Sequence, residues 1–464
     1  MTPRNSGEAM SYKSHSHAQW SSRMAFVLAA VGSSVGLGNI WKFPYMTGES
    51  GGGAFVLIYL VCIFLVGLPM LMSEWLLGRL GQKNPISTMG DITRRLKRSR
   101  AWVLIGVAGI LGAYLILSFY SVIGGWALAY IQMAVVDTFS GLDNDSVGTL
   151  FGNLLASPVE LLLWHSLFML MTIGVVVGGV AGGLERAAKT LMPTLAVLLV
   201  VLVGYAATTG AFAEGAAYLF TPDFSKLTSD GVLAALGHAF FTLSLGMGIM
   251  MAYGSYLSDD VNIGRSALIV VVMDTVIALL AGLAIFPVVF ANGLDAAAGP
   301  GLIFQTLPLA FGNMAGGWLF GLLFFVLLVF AAWTSAISLL EPVVEWLEER
   351  SPLSRVGATI VAGLATWALG LATVLSFNIW GDVAPLGMFD KFAGMTIFDL
   401  LDYVTSKLLL PLTGLATVLF VGWFMGRDEL RTQLNMGETA FALWRLAVRF
   451  IAPIGVVIVF VNSL

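Results

Sequence analysis

Apolar residues in this chain come in long runs rather than at the spacing of a single amphipathic face. Stretches at about 24–46, 54–77, 101–135, 161–180, 188–210, 233–257, 266–291, 316–346, 356–377, 396–424 and 440–462 are each long and apolar enough for one crossing. A bilayer core takes about 20 such residues as helix. Eleven membrane spans are predicted, the longest of them tilted or protruding. The first run follows a polar tail and ends in Lys42-Phe43-Pro44-Tyr45 rather than in small residues, so it reads as a retained span and not a cleaved signal.

Two of the runs carry glycine clusters where a plain membrane helix has none. The first reads Gly32-Ser33-Ser34-Val35-Gly36-Leu37-Gly38-Asn39 and the sixth Phe241-Thr242-Leu243-Ser244-Leu245-Gly246-Met247-Gly248. Glycine costs a helix about 1 kcal/mol relative to alanine, which favours unwinding. Unwound backbone at membrane depth is tolerated only against protein or a water-filled cavity, so a polar site is expected there. Close packing of small residues explains one such cluster equally well. Two clusters in the first and sixth spans fit discontinuous helices at matching places in two five-helix repeats, and an odd number of spans per repeat inverts the second. The expected fold is an all-α membrane protein of about eleven transmembrane helices with a 5+5 inverted repeat. The chain divides into a tail (1–23), repeats over 24–210 and 233–424, and an additional helix (440–464). Helix ends freed halfway across a membrane attract a carboxylate at one polarity and a hard cation at the other, which indicates a secondary transporter.

Composition agrees. Of 464 residues, 58% are hydrophobic and 11% charged, and the net charge is −4. That balance excludes a disordered polymer and a nucleic-acid footprint. The single cysteine, Cys62, and four histidines exclude a thiolate cluster and argue against a catalytic metal site. Basic residues alternate strongly between loops. With the N-terminus in the cytoplasm, nineteen of 23 fall inside, from Arg4 and Lys13 to Arg449, leaving Lys42, Lys226, Lys391 and Lys407. The N-terminus is therefore expected inside and the C-terminus outside.

At the glycine clusters the chain resembles the neurotransmitter:sodium symporter family, in particular its bacterial amino-acid transporters. The likeness runs over residues 17–462 and is carried by GSSVGLGNIWKFP (Gly32–Pro44), GGGAF (Gly51–Phe55), AFFTLSLGMG (Ala239–Gly248) and AAWTS (Ala331–Ser335). It implies two sodium sites. One would use Ser34, Asn39, Thr242, Asp274 and the substrate carboxylate; the other Gly32, Val35, Ala331, Thr334 and Ser335. Substrate contacts would come from Ser34, Gly36, Gly38, Ile116, Tyr120, Phe241, Ser244, Met247, Ser335 and Leu339. In that scheme Tyr120 donates to the carboxylate, Gly38 offers its N–H and Phe241 closes as a lid. The monoamine branch has an aspartate where this chain has Gly36, so the ligand is expected to bring its own carboxylate. The pocket of Ile116, Met247, Phe241 and Leu339 holds no charge, which favours a neutral aliphatic or aromatic L-amino acid.

Asp274 lies mid-span, where an Asp costs about 2.5–3.5 kcal/mol on insertion scales. By the family pattern an acidic residue here stands in for bound chloride, so no chloride requirement is expected. Glu74 matches a glutamate that braces the broken helices. The family's outer gate pairs an arginine with an aspartate; here the positions are Lys42 and Asp402, with His238 nearby in place of the usual glutamine, read first as an exposed or satisfied histidine. A lysine cannot make the bidentate fork of an arginine, which predicts a looser gate. The inner gate would use Trp20, Ser255, Tyr256 and Glu349, with His17 where a basic partner is usual and Arg23 out of register. Gly183 and Pro193 match a motif permitting local unwinding.

No GxxxxGK[ST] loop is present to use ATP. Two sodium ions entering with a zwitterion gain about 4.6 kcal/mol at 100 mV, enough for more than a thousandfold accumulation. No pair of groups at common depth supports an embedded enzyme. The expectation is a sodium-coupled amino-acid symporter of the bacterial inner membrane working by alternating access; a channel or an amino-acid sensor sharing the fold is the alternative.

Overall fold

The computed structural model describes residues 18–297, 299 and 301–463; Arg4, Lys13 and His17 lie outside them. The described chain is helical, with one isolated bridge between Gly52 and Pro222 and no strand. Several helices start where the sequence writes a cap followed by proline. Asn84 accepts from the backbone N–H of Ile86 and Ser87 ahead of Pro85, and Ser157 caps a helix opening on Pro158.

The helices that position the site are α1 (Arg23–Ser34), α2 (Phe43–Glu49), α3 (Gly53–Gly81), α4 (Pro85–Arg95), α5 (Arg100–Val135), α6 (Pro158–Val176), α7 (Val180–Ala206), α8 (Ser229–Thr242), α9 (Ile249–Ser255), α10 (Ile263–Ala291), α11 (Gly317–Arg350), α12 (Arg355–Ser376), α13 (Ile397–Phe424) and α14 (Glu438–Asn462). Among the described residues nine helices are long and apolar enough to cross a membrane. The number reaches ten if α1 and Gly38–Glu49, bent by 48° at a break, count as one span. The sixth predicted span is the pair α8 and α9, each too short to cross alone. The fifth begins at Val180, earlier than its apolar run, because a π-helical turn (Val180–Leu184) leads into α7.

Both breaks are where the glycine clusters lie. After Ser34 the chain turns extended at Val35 (φ −73°, ψ 108°) and resumes as a π turn over Gly38–Lys42. Between α8 and α9, Ser244, Gly246 and Gly248 take φ of 54°, 77° and 70°. A Cβ on Gly246 would stand 2.6 Å from the carbonyl oxygen of Leu410, so glycine is required there by both conformation and space. Helix α1 is buried along most of its length and packs against α7, α10 and α11. The breaks therefore sit inside protein, as the satisfaction of backbone polar groups demands.

Candidate functional site

One cavity joins the two breaks. It is lined by Ser33, Ser34, Gly36 and Gly38 from the first, Phe241, Thr242, Ser244 and Met247 from the second, Ile116 and Tyr120 from α5, and Ser335 and Leu339 from α11. All ten residues expected to contact substrate line it; Ser33 was not anticipated. The lining carries no ionised side chain. Its free volume is about 20 Å³, which makes it a closed space rather than an open cleft.

The polar edge of the cavity is built from backbone. Leu37 N–H donates to Tyr120 Oη (3.2 Å), and Gly36 N–H donates to Asn39 Oδ1 (3.0 Å). Ser244 Oγ donates to the carbonyl of Ser33 (2.9 Å), tying one break to the other. Tyr120 thus accepts from the first break and keeps its own hydroxyl hydrogen to donate. A Cβ on Gly36 would overlap Ser335 Oγ and stand 2.9 Å from Tyr120 Oη.

Asp274 of α10 is wholly buried, and three side chains donate to its carboxylate. Asn39 Nδ2 reaches Oδ1 at 2.8 Å, Thr242 Oγ1 lies 3.1 Å from both oxygens, and Tyr59 Oη donates to Oδ2 at 3.2 Å. Tyr59 escaped the sequence reading, since nothing in α3 marks it before α10 is packed beside it. These donors offset the cost of placing a carboxyl group away from water. Asn39 Oδ1, Thr242 Oγ1 and the Asp274 carboxylate bring oxygen together beside the cavity, with Ser34 Oγ buried and lacking a hydrogen-bond partner among the described residues. That donor set suits a hard monovalent cation.

A second oxygen cluster lies between α1 and α11. Thr334 Oγ1 is 3.0 Å from the carbonyl of Ala331 and 3.4 Å from that of Val35, and Ser335 Oγ is 3.4 Å from the latter. Gly32 abuts Thr334, a Cβ there falling 3.6 Å from Thr334 Cβ. All five residues expected at this place are brought together. A small cavity of about 10 Å³, lined in part by Gly32, Thr334, Ser338 and Leu184, links it toward the π turn of α7. No group of three or more His, Cys, Asp or Glu side chains able to hold a metal ion occurs among the described residues.

Glu74 is buried, and its Oε1 accepts from the N–H of Gly246 at 2.7 Å, so it braces the second break. Toward the Asp402 end, a larger cavity of about 360 Å³ is lined by Trp41, Lys42, Tyr45, Trp126, Phe377, Phe398 and Asp402 among others. Phe241 borders both cavities. Lys42 and Asp402 share this wall but form no ion pair: Lys42 Nζ stands 4.5 Å over the Phe241 ring, while Asp402 accepts from Ser406 at 2.8 Å. The expected gate pair is thus replaced by a cation–π contact on the lid. His238 also departs from expectation. It is neither exposed nor hydrogen-bonded among the described residues, but packs between the rings of Tyr59 (5.2 Å) and Phe43 (5.9 Å).

At the Trp20 end, the described residues join Tyr256 to Glu341, and Glu349 bonds Asn84. Trp20 donates its indole N–H to the carbonyl of Tyr253 (3.0 Å) and packs edge-on against Tyr253 and Tyr256. Tyr256 donates to Glu341 (2.8 Å), and Arg355 holds both oxygens of Glu341. Ser255 donates to Glu345 (2.9 Å), and Glu349 accepts from the backbone N–H of Asn84 (2.8 Å). Glu341 lies two helical turns before Glu349 on the same face of α11, a spacing that could have singled it out. His17 lies outside the described residues. Glu185, at the end of the π turn, accepts from the backbone N–H and the hydroxyl of Ser21 (both 2.6 Å), so the start of α7 is latched to the residues preceding α1.

Comparison with known proteins gives one answer. The model of the sodium:neurotransmitter symporter family matches residues 17–141 and 157–464. An uncharacterized sodium-dependent transporter of Bacillus subtilis (strain 168), YhdH, is 40% identical over 448 residues, 96% of this chain and 97% of that one. A sodium-dependent transporter of Methanocaldococcus jannaschii is 33% identical over 451 residues, covering 92% of this chain and 86% of its own. Among solved structures, MhsT in complex with L-phenylalanine superposes with a TM-score of 0.87 at 41% identity, over 96% of this chain and 100% of that chain.

Proposed function

From the membership of this chain in the sodium:neurotransmitter symporter family, which makes it a multi-span, sodium-dependent symporter and not an enzyme, we propose that it moves neutral, hydrophobic L-amino acids into a bacterial cell with two sodium ions. The observation that carries the reading is the single uncharged cavity between the two breaks, with Gly36 rather than an acidic side chain at its polar edge. An amine substrate without a carboxylate would find no counter-charge in that lining. A zwitterion supplies its own: its carboxylate meets the Tyr120 hydroxyl and the Gly38 N–H and completes the first sodium site with Ser34, Asn39, Thr242 and Asp274. The amino group then faces the carbonyls of the second break, and the side chain lies among Ile116, Met247, Phe241, Ser244 and Leu339. MhsT, similar over nearly the whole chain, was solved with L-phenylalanine, which supports an aromatic or aliphatic side chain here.

Sodium fits both oxygen clusters as cargo. At the first, the ion and the substrate carboxylate share a ligand shell, so each strengthens binding of the other, which is the reciprocal coupling a symporter requires. At the second, sodium held by Gly32, Val35, Ala331, Thr334 and Ser335 ties the broken α1 to α11 and stabilises the closed inner side. Asp274 keeps a fixed negative charge beside the first sodium, which supports transport without chloride.

Alternating access follows from the two ends. Entry from outside moves the Phe241 lid with Lys42 above it, clear of the wall carrying Asp402. Release inward separates Trp20 from Tyr253 and Tyr256 and frees Glu185 from Ser21. The π turn at Val180–Leu184, with Gly183 within it and Pro193 further along α7, then unwinds toward Thr334. The Trp20 end faces the cytoplasm in this reading, and the repeats over 24–210 and 233–424 rock about the site.

The test is uptake of labelled L-phenylalanine and L-leucine into proteoliposomes. An inward sodium gradient should concentrate at least one of them above equilibrium with chloride replaced by gluconate. Equilibration without concentration, as a channel gives, or binding without flux, as a sensor gives, contradicts the reading.

A further inference from the structure

The connection between α12 and α13 is a long loop. Residues 377–396 leave the end of α12 and come back to it. Phe398 N–H donates to Ser376 Oγ (3.2 Å), and the Phe377 and Phe398 rings lie 5.0 Å apart. Between these stems the segment packs on almost nothing, although it is rich in large apolar side chains. Ile379 is 67% exposed, Phe389 55% and Met388 79%, and Trp380, Val383 and Leu386 are exposed as well. In water such a patch on a monomer is an aggregation hazard and normally marks a surface with a partner.

We infer that this segment is a membrane-interface anchor, inserted among the headgroups and upper acyl chains of the outer leaflet. Three observations favour lipid as the occupant. First, depth: α12 has 22 residues and rises about 33 Å, the thickness of a hydrocarbon core, so a loop starting at its end emerges at headgroup level, where Trp and other amphipathic rings are enriched. Second, setting: α12 is a membrane-crossing helix whose exposed apolar side chains, Val356, Ile360, Val361 and Leu364, lie in its first three turns, so the loop at its far end leaves a helix that lipid already surrounds. Third, backbone satisfaction: the segment is a string of tight turns in which more than half of the N–H groups are used internally. Trp380 donates to the carbonyl of Leu375, Val383 to Trp380, Gly387 to Ala384, Phe389 to Leu386 and Phe392 to Phe389, all within 3.0 Å. A loop with paired amides can enter a poorly hydrated zone at low cost.

Charge specifies the kind of insertion. Asp382, Asp390 and Lys391 are the ionisable side chains of 377–391, and the lysine ammonium lies 5.2 Å over the Tyr403 ring. With one basic and two acidic groups the anchor is held by apolar burial and not by attraction to anionic lipid. Its stems are functional walls, since Phe377 and Phe398 line the larger cavity and Phe377 packs on Trp126 at 5.1 Å. Lipid that fixes the loop fixes one side of the route to the site.

The test uses nitroxide labels at Met388→Cys, and separately at Phe389→Cys, in the full chain carrying Cys62→Ala, reconstituted in phosphatidylcholine nanodiscs. Power saturation should give oxygen accessibility over nickel-chelate accessibility about fivefold higher at both sites than at an Asp260→Cys control, and unchanged when anionic lipid is added. Chelate-dominated relaxation at both sites places the loop in water and overturns the inference. So does dipolar broadening between labels with both reagents excluded, which identifies a second copy as the occupant.

Discussion

Asn39, in the π turn that follows the first break, donates to the carboxylate of Asp274 on α10 at 2.8 Å and to its backbone carbonyl at 3.0 Å. A residue of the first span is thereby locked to a buried carboxyl group in the seventh, while its own Oδ1 receives the Gly36 N–H. The proposed ion site and the wall of the cavity are one hydrogen-bonded unit, and substitutions at this joint should change ion coupling before they change the fold.

Asp274→Asn keeps the volume and the acceptor for Asn39 but removes the charge and turns the acceptor of Tyr59 into a donor. Uptake in chloride-free medium should fall about tenfold or more, the scale of a coupling energy near 1–3 kcal/mol, and part of it should return when chloride is supplied. Uptake measured with chloride and with gluconate checks this; a variant that transports normally in gluconate contradicts the role given to Asp274.

Gly36→Ala introduces a methyl group against Ser335 Oγ and Tyr120 Oη. Overpacking of this kind costs about 1–3 kcal/mol of folding stability, so the melting temperature should fall, and the Kd for the amino acid should rise as well because the methyl group crowds the polar edge of the cavity. Scintillation proximity binding with thermal unfolding in detergent separates the two effects.

Thr334→Val removes one hydroxyl from the second oxygen cluster without changing shape. The sodium concentration for half-maximal uptake should increase several-fold, since a ligand to a hard cation is lost, and the preference among amino acids should not change. Sodium titration of uptake at saturating substrate, with a competition panel, provides the check.

Glu74→Gln retains an acceptor for the Gly246 N–H and should leave stability within about 1 kcal/mol, whereas Glu74→Ala leaves that N–H unpartnered at a cost of about 1–3 kcal/mol. The expected order of melting temperatures is parent close to Gln, with Ala lower. Equal losses in both variants would assign Glu74 a charge-dependent role instead.

Sequence alone revealed the architecture because its strongest signals are local. Long apolar runs define crossings, and glycines at 32, 36 and 38 and at 246 and 248 mark where helix gives way. The cavity lining was legible through the family resemblance, which assigns Ile116, Tyr120 and Leu339 as well as the residues of the glycine motifs; the apolar pattern by itself does not single them out. Residues joined only by packing were harder to see. Tyr59 and Asp274 meet across 215 positions, and Trp20 and Tyr253 across 233, with nothing in either stretch naming the other. Lys42 and Asp402 share a wall as the loose gate expected of a lysine requires, and the contact of the ammonium with the Phe241 ring is one that packing alone reveals. His238 takes the place where the family commonly has glutamine near the gate, and the helix packs it against Tyr59 and Phe43.

The account rests on a zwitterion whose carboxylate is a ligand to sodium between the broken helices. Equilibrium binding of labelled L-phenylalanine to the purified transporter, titrated with sodium against potassium and competed with phenethylamine, tests this most directly. The predicted result is affinity that rises steeply with sodium, is absent in potassium, and is insensitive to the decarboxylated amine. Sodium-independent binding, or equal competition by phenethylamine, contradicts it.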